Sequence, residues 1–203
     1  MVKKWFTSGT HFGSERVRKL SNRPFKNVEE MDYELIKRWN SVVAKGDIVY
    51  HLGDFGEYKN ASKLNGNIKL LAGNYEMKES GYDIDEFSKI LRAKVLDYDI
   101  VDTVCAHMEK IESFGFTRVF YNCGGSLPFV HTKELSISAV HRPRDRDINE
   151  FTVFGHIHAL QTVKKNALNV GVDCHNFYPI DLEKVLFYKN CIENIYDFDV
   201  FSE

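Results

Sequence analysis

Apolar, strand-like runs in this chain stop repeatedly at a residue type that can hold a metal ion. Phe151-Thr152-Val153-Phe154 runs into Gly155-His156-Ile157-His158. Asp47-Ile48-Val49-Tyr50 runs into His51-Leu52-Gly53-Asp54, and Ile68 to Ala72 runs into Gly73-Asn74. Leu135 to Val140 runs into His141, and an N-terminal run from Val2 leads to Thr10-His11. A buried strand that ends at a turn and delivers His, Asp or Asn builds a rigid site at a sheet edge. Histidine combined with oxygen ligands suits Zn, Mn, Fe or Ni, and this many ligands can hold two ions.

Composition narrows the class. At 203 residues the chain is expected to form one domain, residues 1–203, with a sizeable core. Lys and Arg number 27 against 29 Asp and Glu, so no basic excess marks a general nucleic-acid binder. The cysteines, Cys105, Cys123, Cys174 and Cys191, form no C-x-x-C pair, which reads as reduced thiols rather than a disulfide frame. The N-terminus carries no signal-like apolar run, and no stretch approaches membrane-spanning length. A cytoplasmic location with no membrane partner is the resulting expectation.

Helical periodicity alternates with these strands, which points to an α/β layered fold. Met31, Leu35, Ile36, Trp39, Val42 and Val43 recur at helical spacing over residues 28–44. Asn27 is the expected N-cap and Gly46 the expected stop. A short helix near residues 61–64 and a helix over residues 82–92 are also expected. Residues 95–101 and 119–121 read as strands. The stretch 95–129 reads as an insertion, a lid or partner surface. Residues 182–194 read as a last helix or a strand pair, and 196–201 match neither template.

The motifs, in order, are Gly9-Thr10-His11, Gly53-Asp54, Gly73-Asn74-Tyr75-Glu76, His141 and Gly155-His156-Ile157-His158. This order resembles the calcineurin-like metallophosphoesterase superfamily, whose pattern runs D-x-H, G-D, G-N-H-D/E, a lone His and G-H-x-H. Ser8 to Ser14, Asn22-Arg23-Pro24-Phe25 and Asn169-Val170-Gly171-Val172-Asp173 look like its small bacterial and phage members. The resemblance implies a four-layer α/β/β/α sandwich with the metals at strand ends. It implies one site from Asp54, Asn74, His141 and His156, and another from His11, Asp54 and His158, with Asp54 bridging. One or two divalent ions per chain, Mn2+, Ni2+, Fe2+ or Zn2+, are implied as cofactors. Hydrolysis of a phosphate mono- or diester is the implied reaction, by water activated on the metals. The implied substrate is a phosphorylated small molecule or nucleotide, with a nucleic-acid end also open.

Two departures fall on chemistry. Gly9 stands where the family has its first Asp, which removes one charged ligand from the second site. Tyr75 stands where the family has the His that contacts or protonates the phosphoryl group, a role worth ~10²–10⁴-fold. Tyr75 either donates a hydrogen bond to a leaving oxygen or only packs. Arg23 is a candidate phosphate contact, with a surface ion pair as its alternative. Glu76 reads as a surface acid, His51 as a core or supporting residue, and His175 as a residue that lines the site. Asp54, Asn74, Tyr75 and Arg23 are thus the candidate catalytic residues. The other reading is a catalytically impaired pseudoenzyme that keeps the fold as a binding module.

Overall fold

The computed structural model describes residues 2–83, 85, 98–121, 127–131 and 136–194. In chain order the first elements are β1 (Lys4–Thr7), α1 (Glu15–Leu20), α2 (Val28–Val42), β2 (Ile48–His51), β3 (Asn67–Leu71) and α3 (Asn74–Glu79). Next come α4 (Tyr98–Glu112), β4 (Arg118–Phe120), β5 (Leu127–His131), β6 (Ser136–Ala139) and β7 (Thr152–Phe154). The last are β8 (Val163–Lys164), β9 (Ala167–Asn169), β10 (Ile180–Asp181) and α5 (Leu182–Asn194). The fold is mixed α/β, with two five-stranded mixed sheets flanked by helices. One sheet runs β10-β1-β2-β3-β4 and the other β5-β6-β7-β9-β8. β1 to β4 are mutually parallel, as are β6, β7 and β9. The outer strands β10, β5 and β8 pair antiparallel.

Successive side chains of a strand face opposite ways, so neighbouring residues serve different cores. Trp5, Val49, Ile68 and Leu70 pack in one cluster with Met31, Leu35 and Trp39 of α2 and Val104 and Ile111 of α4. Phe6, Tyr50 and Leu71 belong to a second cluster, with Ile137, Ala139, Val153 and Leu168 of the other sheet. Strands buried on both faces read as continuous apolar runs, which is why β2 and β3 were so visible in the sequence.

Local signals explain most boundaries. The Asn27 side chain accepts the Glu30 N–H at 2.8 Å and starts α2. That helix ends at Val42 with Val43 extended, so Gly46 is not its stop. Instead the Asp47 carboxylate closes the turn by accepting the Ala44 N–H at 3.0 Å. The short helix expected near 61–64 is a 3-10 segment, Tyr58–Lys63. Residues 182–194 form a helix, not a strand pair.

The described part of 95–129 differs most from expectation. Tyr98 to Val101 open a helix rather than a strand, because Val104 and Ile111 continue an apolar stripe that packs into the first core. Arg118–Phe120 is a strand of the first sheet, paired with β3. The segment's described strands belong to the two sheets, β4 to the first and β5 to the second. The helix expected over 82–92 lies mainly outside the described residues, as does 196–201. No helix among the described residues is long and apolar enough to cross a membrane.

Candidate metal centre

Parallel strands bring their carboxyl ends to the same edge, and ligands bind at such ends in open α/β sheets. In the first sheet the loops after β1, β2 and β3 carry His11, Asp54 and Asn74. In the second, those after β6, β7 and β9 carry His141, His156 and Asp173. Chain segments far apart in sequence thus converge on one small volume.

The first pocket is compact. Asn74 Oδ1 lies 2.9 Å from His141 Nε2 and 2.9 Å from His156 Nδ1. Those two ring nitrogens are 3.2 Å apart, and Asp54 Oδ2 is 3.4 Å from His141 Nε2. Ligand atoms of Asp54, His141 and His156 all lie within 4.8 Å of one another. His141 Nδ1 donates to Leu52 O at 2.7 Å, which turns Nε2 toward the pocket. Burial opposes a charge on His141, yet the Asp54 carboxylate keeps its pKa above the usual range. Burial alone would raise Asp54, but His141 and then His11 hold it below the usual carboxylate range. Burial, with His141 beside it, lowers His156 to about 4, so that ring is neutral and free to ligate at pH 7.

The second pocket is more open. His11 Nε2 is buried, has no hydrogen-bond partner, and sits 3.6 Å from Asp54 Oδ2. Burial lowers His11 to about 3. The rings of His11 and His158 stack with centroids 5.2 Å apart. A cavity with about 10 Å³ for a water-sized sphere is lined by Gly9, His11, His156, His158, Gly171 and Asp173. That is room for one water or ion. A Cβ on Gly9 would meet only the His11 ring, at 3.9 and 4.0 Å, but Gly9 lies at φ +66°, where a side chain is strained. The nitrogen and oxygen donors of both pockets, with an orphaned buried imidazole nitrogen, fit a divalent ion of the Mn, Fe, Ni or Zn type.

The backbone is shaped to this end. His11, Asp54, His156 and His158 all have positive φ, 49°, 59°, 69° and 50°. Such conformations cost of order 1–3 kcal/mol each and cluster at functional sites. Gly53 (φ +87°) and Gly73 let two loops touch. A Cβ on Gly53 would stand 2.5 Å from Gly73 N, and one on Gly73 would stand 2.6 Å from Asp54 Oδ1.

Several expected residues occupy other roles. Arg23 is no phosphate contact and no surface ion pair. Its side chain is fully buried, and it donates to Asp173 Oδ1 (2.8 Å) and Oδ2 (2.9 Å), Thr10 O (2.8 Å) and Gly9 O (2.6 Å). Glu76 is not a surface acid. It is 1% exposed and accepts the N–H groups of Asp54, Phe55 and Gly73 at 2.9, 2.8 and 2.7 Å, tying the Asp54 and Asn74 loops together. His175 pairs with Asn169 O at 2.7 Å and packs near Tyr188, so it supports the C-terminal helix rather than the site. His51 is a supporting residue as expected. Its Nε2 lies 3.0 Å from Thr10 Oγ1, which itself donates to Phe55 O.

Tyr75 lies at the pocket mouth, edge-on to His11 with centroids 4.9 Å apart, and its N–H donates to Asp54 Oδ1 at 3.2 Å. Its hydroxyl accepts from the exposed Arg16 guanidinium. Sequence reasoning missed Arg16, which has no motif around it. It also left Asp173 without a role, although that residue stood in a recognised motif at the end of an apolar run.

No family model matches the chain. The uncharacterized protein MJ1445 of Methanocaldococcus jannaschii is 29% identical over 201 residues, spanning 92% of this chain and 90% of that protein. The Gene 66 protein of Mycobacterium phage L5 is 26% identical over 194 residues, 85% of this chain and 87% of that protein. Among solved structures, the protein of unknown function AQ665 from Aquifex aeolicus superimposes with a TM-score of 0.60 at 16% identity. That match covers 93% of this chain and 100% of the other, and likeness at this identity speaks to the fold alone.

Proposed function

We propose that the chain is a metal-dependent phosphoesterase of the calcineurin-like kind, with the α/β/β/α sandwich of that superfamily. The observation that carries the reading is the convergence of Asp54, Asn74, His141 and His156 from four strand ends in two sheets. Four donor atoms with lone pairs facing one another repel unless a cation or proton lies between them. Asp54 and His156 are also held in left-handed backbone conformations, which cost energy and cluster at functional sites.

Asn74, His141 and His156 would hold one divalent ion with Asp54. His11 and His158 would hold another, with Asp54 shared. A divalent ion at such a site polarises a phosphoryl oxygen and lowers the pKa of water. The protein's own residues do the rest. Asp54 is placed between both pockets by Glu76, which fixes its backbone N–H. His141 is fixed by Leu52 O, and Tyr75 with Arg16 lines the mouth, where a phosphate ester would arrive. An Arg16 guanidinium beside a phenol suits the non-bridging oxygens of a phosphate.

A second reading is favoured by one specific feature. Position 9 is glycine, so the second pocket lacks the carboxylate expected there, as in a pseudoenzyme that binds without turnover. Metal analysis of the purified protein, with turnover of generic mono- and diester phosphates in Mn2+ or Ni2+, separates the readings. Bound metal with turnover that disappears on chelation supports the hydrolase. Bound metal without turnover supports the binding module, and no bound metal sinks both.

A further inference from the structure

The loop after β9 also reaches the shared edge, and the ligand sets above leave it without a role. It carries Asp173, and the residue bound to it is Arg23. The two form a buried bidentate ion pair, with side-chain exposures of 0% for Arg23 and 4% for Asp173. Burying both charges is costly, and a buried pair is weak evidence for stability. Its connections indicate another use. Arg23 donates to the carbonyls of Gly9 and Thr10, the residues that lead into His11. Asp173 Oδ2 stands 3.1 Å from His158 Nδ1, and Ser21 Oγ stands 2.9 Å from the same nitrogen. A carboxylate only accepts, so this contact places the proton of His158 on Nδ1 and leaves Nε2 to ligate.

We infer that the Arg23–Asp173 pair is the positioning device of the second cation pocket, holding the His11 loop through Arg23 and the His158 ring through Asp173. This rests on the metal-site reading above. It explains how a pocket without a carboxylate at position 9 stays formed. His11 and His158 are locked in place before an ion arrives, and the buried His11 Nε2 stays unpartnered beside Asp54. Preorganised ligands lose less freedom on binding, so a supporting carboxylate typically contributes about 10–100-fold in metal affinity. The pair does not restore the missing negative charge, because Arg23 cancels Asp173. Its contribution is geometric.

Metal-free wild type, Asp173→Asn and the double variant Gly9→Asp/Asp173→Asn are titrated with Mn2+ by calorimetry, with circular dichroism and thermal melting alongside. Wild type should take two ions of unequal affinity. Asp173→Asn should keep the tighter ion unchanged and bind the weaker one about 10–100-fold less well. Adding Gly9→Asp should restore the weaker ion, which a variant damaged in its folding would not show. Nitrogen-15 NMR of metal-free wild type should find His158 protonated on Nδ1, and this measurement needs no variant. The inference is overturned if Asp173→Asn binds both ions as wild type does, if it loses the tighter ion, or if the double variant recovers nothing. An Nε2-protonated His158, or a wild type that takes only one ion, overturns it as well. Wild type that binds no ion at all instead overturns the metal-site reading beneath it.

Discussion

The two pockets share Asp54 and are otherwise built on different principles. In the first, Asn74, His141 and His156 already touch one another at 2.9 to 3.2 Å, Glu76 pins the loops of Asp54 and Asn74, and Leu52 O pins the His141 ring. In the second, His11 Nε2 touches nothing within hydrogen-bonding range, a cavity is open beside it, and the support comes from one buried ion pair. The contrast teaches that a pocket with no carboxylate at position 9 can keep its shape when a neighbouring network holds the side chains around it. It also orders the two pockets, with the first expected to bind its ion more tightly.

Asp54→Ala should have the largest effect, because it removes the shared ligand. Metal content should fall in both pockets together, by more than the roughly 10–100-fold of a supporting residue. The fold should survive, since the core does not depend on metal. Elemental analysis showing that only one pocket empties would break the idea of a shared acid.

Replacing the two departures sharpens the comparison from the other side. Tyr75→His should raise turnover by up to ~10²–10⁴-fold if an acid–base group is what the mouth lacks. Gly9→Asp should tighten the weaker ion by adding a charged oxygen ligand, with the gain reduced by the strain of a side chain at φ +66°. The two gains should not multiply, as both act on one bound phosphate. A double variant that binds two ions and stays inert toward mono- and diesters would leave the binding-module reading in front.

Acid should act in one direction on His11, His51 and His156, all lowered by burial, and in the other on His141, which Asp54 raises. Burial lowers His11 and His51 to about 3, far below an unfolded value near 6.5. Between those limits the unfolded chain binds more protons, so stability falls as pH drops from about 6.5 toward 3. Each buried ring contributes up to about 1.4 kcal/mol per pH unit. His141, raised by Asp54, has the opposite sign: its contribution is fully present below about 6.5 and is lost as pH rises through its folded value. Urea midpoints of the metal-free protein at pH 7, 6 and 5 should decline steadily. A flat series would mean that the His11 and His51 rings are not held neutral.

The smallest expected effect is at the mouth. Arg16→Gln should raise KM for a phosphate ester by about 10-fold, the loss of one charge-assisted hydrogen bond of about 1.5 kcal/mol, with metal content unchanged. Steady-state kinetics with an unchanged KM would place Arg16 outside substrate contact.

The sequence by itself determined the strands and their ligands. Strands β2, β3, β6 and β7 are mostly buried and sit in apolar-rich runs, so each run was visible, and the turn after it announced Asp54, Asn74, His141 and His156. Asn27 marked the start of α2 because an N-cap is a local hydrogen bond. Other features needed contacts that only the tertiary structure supplies. Residues 95–101 read as a strand because a run of seven residues does not distinguish two periods, and for 98–101 the packing of Val104 and Ile111 against the first sheet decided for a helix. Glu76 read as a surface acid and Arg23 as a phosphate contact or a surface ion pair, since nothing local tells a buried acid or guanidinium from an exposed one. Their partners, the backbone of Asp54 and Gly73 for one and Asp173 with Gly9 and Thr10 for the other, come from loops on different strands. The sequence thus set which residues could ligate, and the packing of two sheets face to face decided which charges hold them in place.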